Sequence, residues 1–254
     1  MTEDVTQSVQ RCDILGVGVH ALNIPLALAC IERAILTRRK GYICATPVHS
    51  IMVAQDDSRY RDVLNGAFLC TPDGMPLVWL GRFRGHKAME RVYGPDLMRA
   101  VLAMSEEAGW THYFYGSDTG TLDALERRLK CMYPKIRIVG KHSPPFRPLT
   151  ESEWKGVQAD VAAVAPDFVW VGIGAPKQDL FMAEHISRLD TTMMVGVGAA
   201  FDFLAGQIVE APAWMQRIGL QWLHRMVKEP RRLWRRYLIN NPRFVFSVIR
   251  QQLG

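Results

Sequence analysis

Two hydrophobic patterns alternate along most of the chain: short, nearly continuous apolar runs and longer segments with helical spacing. "CDILGVGVH" reads as a strand entering a glycine turn, followed by the helix-like "LALACIERAILTRRK". "GYICATPVHS" is the next strand, with "IMVAQDDSRYRDVLNG" as the helix after it and "AFLCTPDG" as a third strand and turn. The order continues with helix "GPDLMRAVLAMSEEAG", strand "THYFYGSD", helix "TLDALERRLKCMYP" and strand "KIRIVGKHSPPF". Helix "ESEWKGVQADVAAVAP", strand "DFVWVGIGAPKQD", helix "LFMAEHISRLD" and strand "TTMMVGVGAAFDFLAG" complete it. Strands separated by helices of roughly ten to fifteen residues predict an α/β fold, a Rossmann-like, mostly parallel sheet flanked by helices.

After Gly206 the alternation stops, which divides the chain into a catalytic body, 1–206, and an appendage, 207–254. The appendage is helical in pattern, broken by Pro230 and Pro242. Leu233, Trp234, Tyr237 and Leu238 fall on one helical face, with Arg231, Arg232, Arg235 and Arg236 on the other; upstream, Trp214, Ile218 and Trp222 recur at i, i+4, i+8. Aromatics opposite arginines describe a helix lying in a membrane interface beside anionic lipid. A helix packed on the body with a solvated basic face is the plainer reading.

Charge sharpens this division. The net charge of +6 is uneven: residues 211–254 hold nine Lys/Arg against one acid, and residues 1–210 hold 22 against 24. Nucleic acid is not the expected partner, because no known reader motif accompanies the basic tail. The polar, acidic N-terminus is no secretory signal, and no apolar run approaches the roughly 18 residues of a membrane span. Five scattered cysteines without a C-x-x-C pair point to reduced thiols in cytoplasm.

Ligands of open parallel sheets sit beyond the carboxyl ends of the strands. Thr46, Asp73, Gly116, "GIGAPKQD" and "GVGAAFD" all fall on such ends and are expected to share one rim. Asp73, on the turn "TPDGMPLVW", has the chemistry of a general base for a substrate hydroxyl, or of a helix cap. In "GIGAPKQD", Gly172 and Gly174 would let backbone amides approach a phosphate at a helix start, Lys177 would add charge and Gln178 a hydrogen bond. An ordinary strand-to-helix turn is the alternative. Arg91 has the charge to face a diphosphate or to lie at the surface. No D-x-D or histidine spacing suits a metal, and no G-x-S-x-G suits a hydrolase.

With these motifs assembled, the chain resembles the WecG/TagA/CpsF family of bacterial glycosyltransferases from about Leu15 to Phe246. The ordered set "TPDGMPLVW", "ERVYGPDLM", "HYFYGS", "VGIGAPKQDLFM", "GVGAAFDFLAG" and "EAPAWMQRIGLQWLHRMVKEPRRLWRRYL" carries the likeness. The resemblance implies inverting sugar transfer, without metal or other cofactor, from a UDP-sugar donor to a sugar on undecaprenyl diphosphate. This would occur at the cytoplasmic face of the inner membrane, with the protein bound peripherally at an anionic surface. It implies Asp73 as base, Thr46, Arg91 and Gln178 in the pocket, and Arg225 and Arg232 on a diphosphate. Many members carry Asn two residues after the threonine; here Val48 and then His49 follow Pro47, which leaves the donor sugar and the acceptor open. An exopolysaccharide hexose is the expected donor sugar, and a homo-oligomer is left open. Two other readings remain: a nucleotide-dependent oxidoreductase, motivated by "GVGVH" and "GIGAP" but lacking the third glycine, and a non-catalytic membrane scaffold.

Overall fold

The computed structural model describes residues 9–253, with the side chains of Arg232, Arg236 and Leu253 outside the described set. Six strands form one parallel sheet: β3 (Gly41–Thr46), β4 (Leu69–Pro72), β5 (Thr111–Gly116), β6 (Arg137–His142), β7 (Phe168–Gly172) and β8 (Met193–Gly196), in the order β4-β3-β8-β7-β5-β6. Successive strand residues point to opposite faces, so the apolar runs fill two cores. Ile43, Phe114, Phe168, Trp170 and Val195 face one, beneath α1 (Ile24–Leu36), α5 (Gly94–Ala108), α6 (Thr119–Met132) and α9 (Ala200–Leu204). Cys44, Tyr113, Tyr115, Val171 and Met194 face the other, beneath α2 (Val48–Asp56), α3 (Ser58–Gly66), α4 (Met75–Phe83), α7 (Glu151–Val164) and α8 (Lys177–His185). The expected α/β architecture is therefore present, with every strand pair of this sheet parallel.

Local punctuation departs from the sequence reading in three places. "CDILGVGVH" is an antiparallel hairpin outside the main sheet, β1 (Arg11–Ile14) and β2 (Val17–His20), because Leu15 (φ 55°) and Gly16 (φ 81°) reverse the chain. The segment read as one helix after β3 is two, since Asp57 leaves helical geometry and its carboxylate accepts from the Tyr60 N–H at 3.1 Å to cap α3. Beyond Asp73, α4 begins at once, with Pro76 in its first turn.

The C-terminal segment runs through α10 (Ala213–Arg217), α11 (Gln221–Lys228), α12 (Pro230–Trp234), a wider π turn (Arg235–Ile239) and α13 (Asn240–Leu253). It folds back onto the body. Phe244 enters the second core, Arg243 makes a two-pronged ion pair with Asp56, and Gln251 donates to Asp13 at 2.8 Å. Pro242 does not break the helix: the chain stays helical from Pro230 to Leu253, with the π turn ending three residues before Pro242. The stripe expected from Trp214 through Trp222 is interrupted at Gly219 (φ 75°), where a Cβ would lie 2.9 Å from the Trp79 ring. Leu233 likewise turns into the protein while Trp234 and Leu238 stay exposed, so the four apolar residues do not share one face.

Candidate active site

The loops after β3, β4, β5, β7 and β8 converge on one open cleft of about 1420 Å³, roofed on one side by the C-terminal segment. Asp73 lines it, one residue beyond the end of β4, where a short strand delivers the carboxylate to the rim. Its N–H donates to the Thr46 carbonyl at 3.2 Å, and its carbonyl accepts from Arg91 Nε at 2.9 Å. The backbone carrying the acid is thus held from both sides.

Arg91 does more than face an anion. Its guanidinium lies 4.2 Å over the Tyr93 ring and reaches Gln216 and Gln221 on the C-terminal segment, joining the Asp73 loop to the roof. Thr46, expected in the pocket, is fully buried at the end of β3; its hydroxyl donates to the Cys44 carbonyl at 3.1 Å and packs 3.1 Å from Cys70 Sγ. Its neighbours Ala45 and Pro47 line the cleft instead, because strand alternation turns Thr46 inward.

On the opposite wall Gly172, Gly174, Lys177 and Gln178 come together as expected. Gly172 is required by packing: a Cβ there would lie 2.6 Å from the Phe201 ring, and a Cβ on Gly116 would lie 2.7 Å from the Gly172 carbonyl. Gln178 differs from its expected role. Its Oε1 accepts from the Gly174 N–H at 3.1 Å and the Gly198 N–H at 3.0 Å, clamping two loops together. The Gly174 amide, the natural phosphate donor, is therefore already engaged. Lys177 opens α8 with its side chain on the cleft.

Sequence reasoning passed over the neighbour of Gln178. Asp179 is fully buried and accepts from the Tyr60 hydroxyl at 2.6 Å. Burial pushes its carboxyl up to about 6 against the hydrogen bonds from Tyr60, Cys44 and Gln178. It sits behind the cleft wall, beside the end of β8. Also missed were Tyr93, His49 and Gln221. "RVYGPD" marks only a helix start, while His49 joins the roof through Asn240 Nδ2 at 2.8 Å from its Nδ1. Arg225 lies 5.7 Å over the Phe203 ring and lines the cleft beside Asp73; the Arg232 side chain lies outside the described residues. The far end of the cleft is aromatic, with Tyr115, Phe146, Trp154 and Phe181 on its walls and Arg188 nearby.

Among the described residues no helix is long and apolar enough to cross a membrane, and no three His, Cys, Asp or Glu are grouped to hold a metal ion. Among known proteins, the chain is similar to the N-acetylglucosaminyldiphosphoundecaprenol N-acetyl-beta-D-mannosaminyltransferase of Bacillus subtilis (strain 168), 25% identical over 231 residues, covering 91% of this chain and 88% of the relative. The protein with the same name in Bacillus spizizenii (strain ATCC 23059 / NRRL B-14472 / W23) is 28% identical over 223 residues, covering 87% and 84%. The family model described as "Glycosyl transferase WecG/TagA/CpsF family" matches residues 12–254, which takes in both the Asp73 rim and the basic roof. The chain therefore belongs to the WecG/TagA/CpsF family and is a glycosyltransferase.

Proposed function

We propose that this enzyme moves a hexose or N-acetylhexosamine from a UDP-sugar onto a sugar carried by undecaprenyl diphosphate, with inversion and without a metal ion. The product would enter an exopolysaccharide or another cell-surface polysaccharide, made at the cytoplasmic face of the membrane. The observation that carries this reading is the position of Asp73: a rim carboxylate between a glycine-rich wall and an arginine-bearing roof. The names of the two relatives supply the acceptor class, a sugar on a diphosphoundecaprenol.

Asp73 takes the proton of the acceptor hydroxyl as that oxygen bonds to the anomeric carbon and the bond to UDP breaks. Negative charge then collects on the departing diphosphate. Lys177, Arg188 and Arg225 surround the cleft and supply positive charge to hold it. Arg232 is the further diphosphate contact by its place in the sequence. Gly172, Gly174 and Gln178 shape the wall against which the nucleotide lies, and Thr46 supports the floor beneath Asp73 through its carbonyl.

Peripheral binding to anionic lipid is favoured by the outer surface of the roof. Trp214, Ile218, Trp234, Leu238, Phe246 and Ile249 are all more than two-fifths exposed, interleaved with Arg217, Arg231, Arg235 and Arg250. Apolar anchors among arginines suit the headgroup region, and the lipid-linked acceptor would lie there too. The experiment is a panel of UDP-sugars, including UDP-N-acetylmannosamine and UDP-glucose, against lipid-diphosphate monosaccharides in EDTA. Product from one donor is expected. No transfer with any pair, or transfer only after manganese is restored, overturns the proposal.

A further inference from the structure

The helix that follows the Asp73 turn holds large apolar side chains in solvent. On α4, Trp79 and Phe83 are 51% and 79% exposed, while Leu77, Val78 and Gly81 are buried against the body. Trp79 and Phe83 stand four residues apart and so share the outer face of the helix. Single exposed apolar residues are ordinary, whereas a contiguous group marks an interaction surface. This group is contiguous with the roof. A Cβ on Gly219 would lie 2.9 Å from the Trp79 ring, which sets Trp79 beside the residue after Ile218, itself more than half exposed like Trp214. At the other end of α4, Arg84 donates to Gln251 Oε1 at 2.7 Å and to the Asp13 carbonyl, tying that end to the end of α13. The roof therefore meets α4 at both ends and leaves its outer face bare.

The charges around this face say what covers it. Arg82, Lys87 and Arg217 are exposed beside the apolar residues. Residues 75–88 and 211–228, which carry the two halves of the surface, contain no acid at all. A second copy of this chain using the same face would set cations against cations, because a two-fold contact brings a patch against itself. A bilayer with anionic lipid satisfies both parts: the acyl boundary receives the rings, and the headgroups meet the basic side chains. We propose that α4 of the catalytic body docks on the membrane beside the roof, with Trp79 and Phe83 inserted at the headgroup boundary. This rests on the reading of the roof as a peripheral membrane contact and extends that contact to the body. Asp73 directly precedes Gly74, the N-cap of α4, and stands six residues before Trp79, about 9 Å at the helical rise. The docked helix thus holds the Asp73 turn close to the bilayer surface, where a lipid-borne sugar arrives.

The test is sedimentation of the full chain with vesicles of phosphatidylcholine and phosphatidylglycerol. Phe83→Ser removes an inserted ring without changing charge. Leu36→Ser is the control, since Leu36 is 70% exposed at the end of α1, on the side of the sheet where the strands begin. Phe83→Ser is expected to weaken vesicle binding by about fivefold or more, and Leu36→Ser to leave it within about twofold. Neither should lower the melting temperature, because both side chains are exposed. If Phe83→Ser binds as the unaltered protein does while Phe246→Asp with Ile249→Asp loses binding, the membrane touches the roof alone and the proposal is overturned. Loss in neither variant, or no binding by the unaltered protein, removes the roof reading as well. An equal loss in Leu36→Ser also overturns it. So does a dimer of the unaltered protein that Phe83→Ser dissociates in sedimentation velocity, which gives the face to a second copy.

Discussion

Replacing Gln178 with Leu separates a loop clamp from a substrate contact. Leu nearly matches Gln in volume, so the buried site, 3% exposed, suffers little change in packing. What it loses is Oε1, with the bonds from the Gly174 and Gly198 amides at 3.1 and 3.0 Å, together with the side-chain hydrogen bond from Gln178 to Asp179. Each such bond contributes about 1 kcal/mol net, and an amide left without a partner costs about 1–3 kcal/mol when water cannot reach it. Both glycines are half-buried, so water restores part of the loss, and the expected destabilisation is about 2–3 kcal/mol. In a chain of this size that lowers the melting temperature by roughly 5–10 °C. Urea unfolding followed by tryptophan fluorescence reads the free energy, and titration with UDP reads the wall the clamp supports. UDP affinity should fall as well, because the two loops separate. A stability change below about 0.5 kcal/mol with a large loss of UDP affinity would refute the clamp and return Gln178 to the role of a direct contact.

The same geometry sets three other outcomes. Burial pushes Asp179 up to about 6 from an ordinary 3.8, so the folded protein holds this proton more tightly than the unfolded chain. Its contribution is whole below pH of about 4 and is lost as pH rises through about 6, to the extent of roughly 3 kcal/mol. Asp179→Asn should therefore gain stability relative to the unaltered protein between pH 4.5 and 7.5 in urea midpoints; an opposite trend contradicts the assignment. Arg91→Lys keeps one charge but cannot hold the Asp73 carbonyl and both roof glutamines together, so turnover should fall by about tenfold or more while UDP affinity holds. Equal turnover would show that Arg91 does not position the acid. Phe246→Asp with Ile249→Asp, at side chains 71% and 53% exposed, should leave the melting temperature unchanged and weaken sedimentation with phosphatidylglycerol vesicles by about tenfold or more. Unchanged sedimentation would reject that face as the membrane contact.

The periodicity of the chain made the strands and most crossover helices readable, because five of the six strands are buried and carry nearly uninterrupted apolar runs, while the edge strand β6 is partly exposed. It could not reveal the N-terminal hairpin, since "ILGVGV" is equally apolar as a core strand and as two short strands reversed at Leu15 and Gly16. The rim was legible from strand ends alone, which placed Asp73, Gly172, Gly174 and Lys177 together. Which way each side chain turns was not. Thr46 faces inward by strand phase, and Gln178 reaches two glycine amides that are distant from each other in sequence. His49 and Arg91 each reach a partner in the roof more than a hundred residues away, and only the docked C-terminal segment shows those contacts.

The proposed reaction turns on a proton transferred to one rim carboxylate. Its most direct test is single-turnover transfer by Asp73→Asn, with the donor and lipid-linked acceptor that the unaltered enzyme uses, at saturating donor and in EDTA. The expected rate is lower by a hundredfold or more, with UDP affinity and melting temperature unchanged. A rate within about threefold of the unaltered enzyme would contradict the role of Asp73, because loss of a working general base cannot leave the chemical step so little affected.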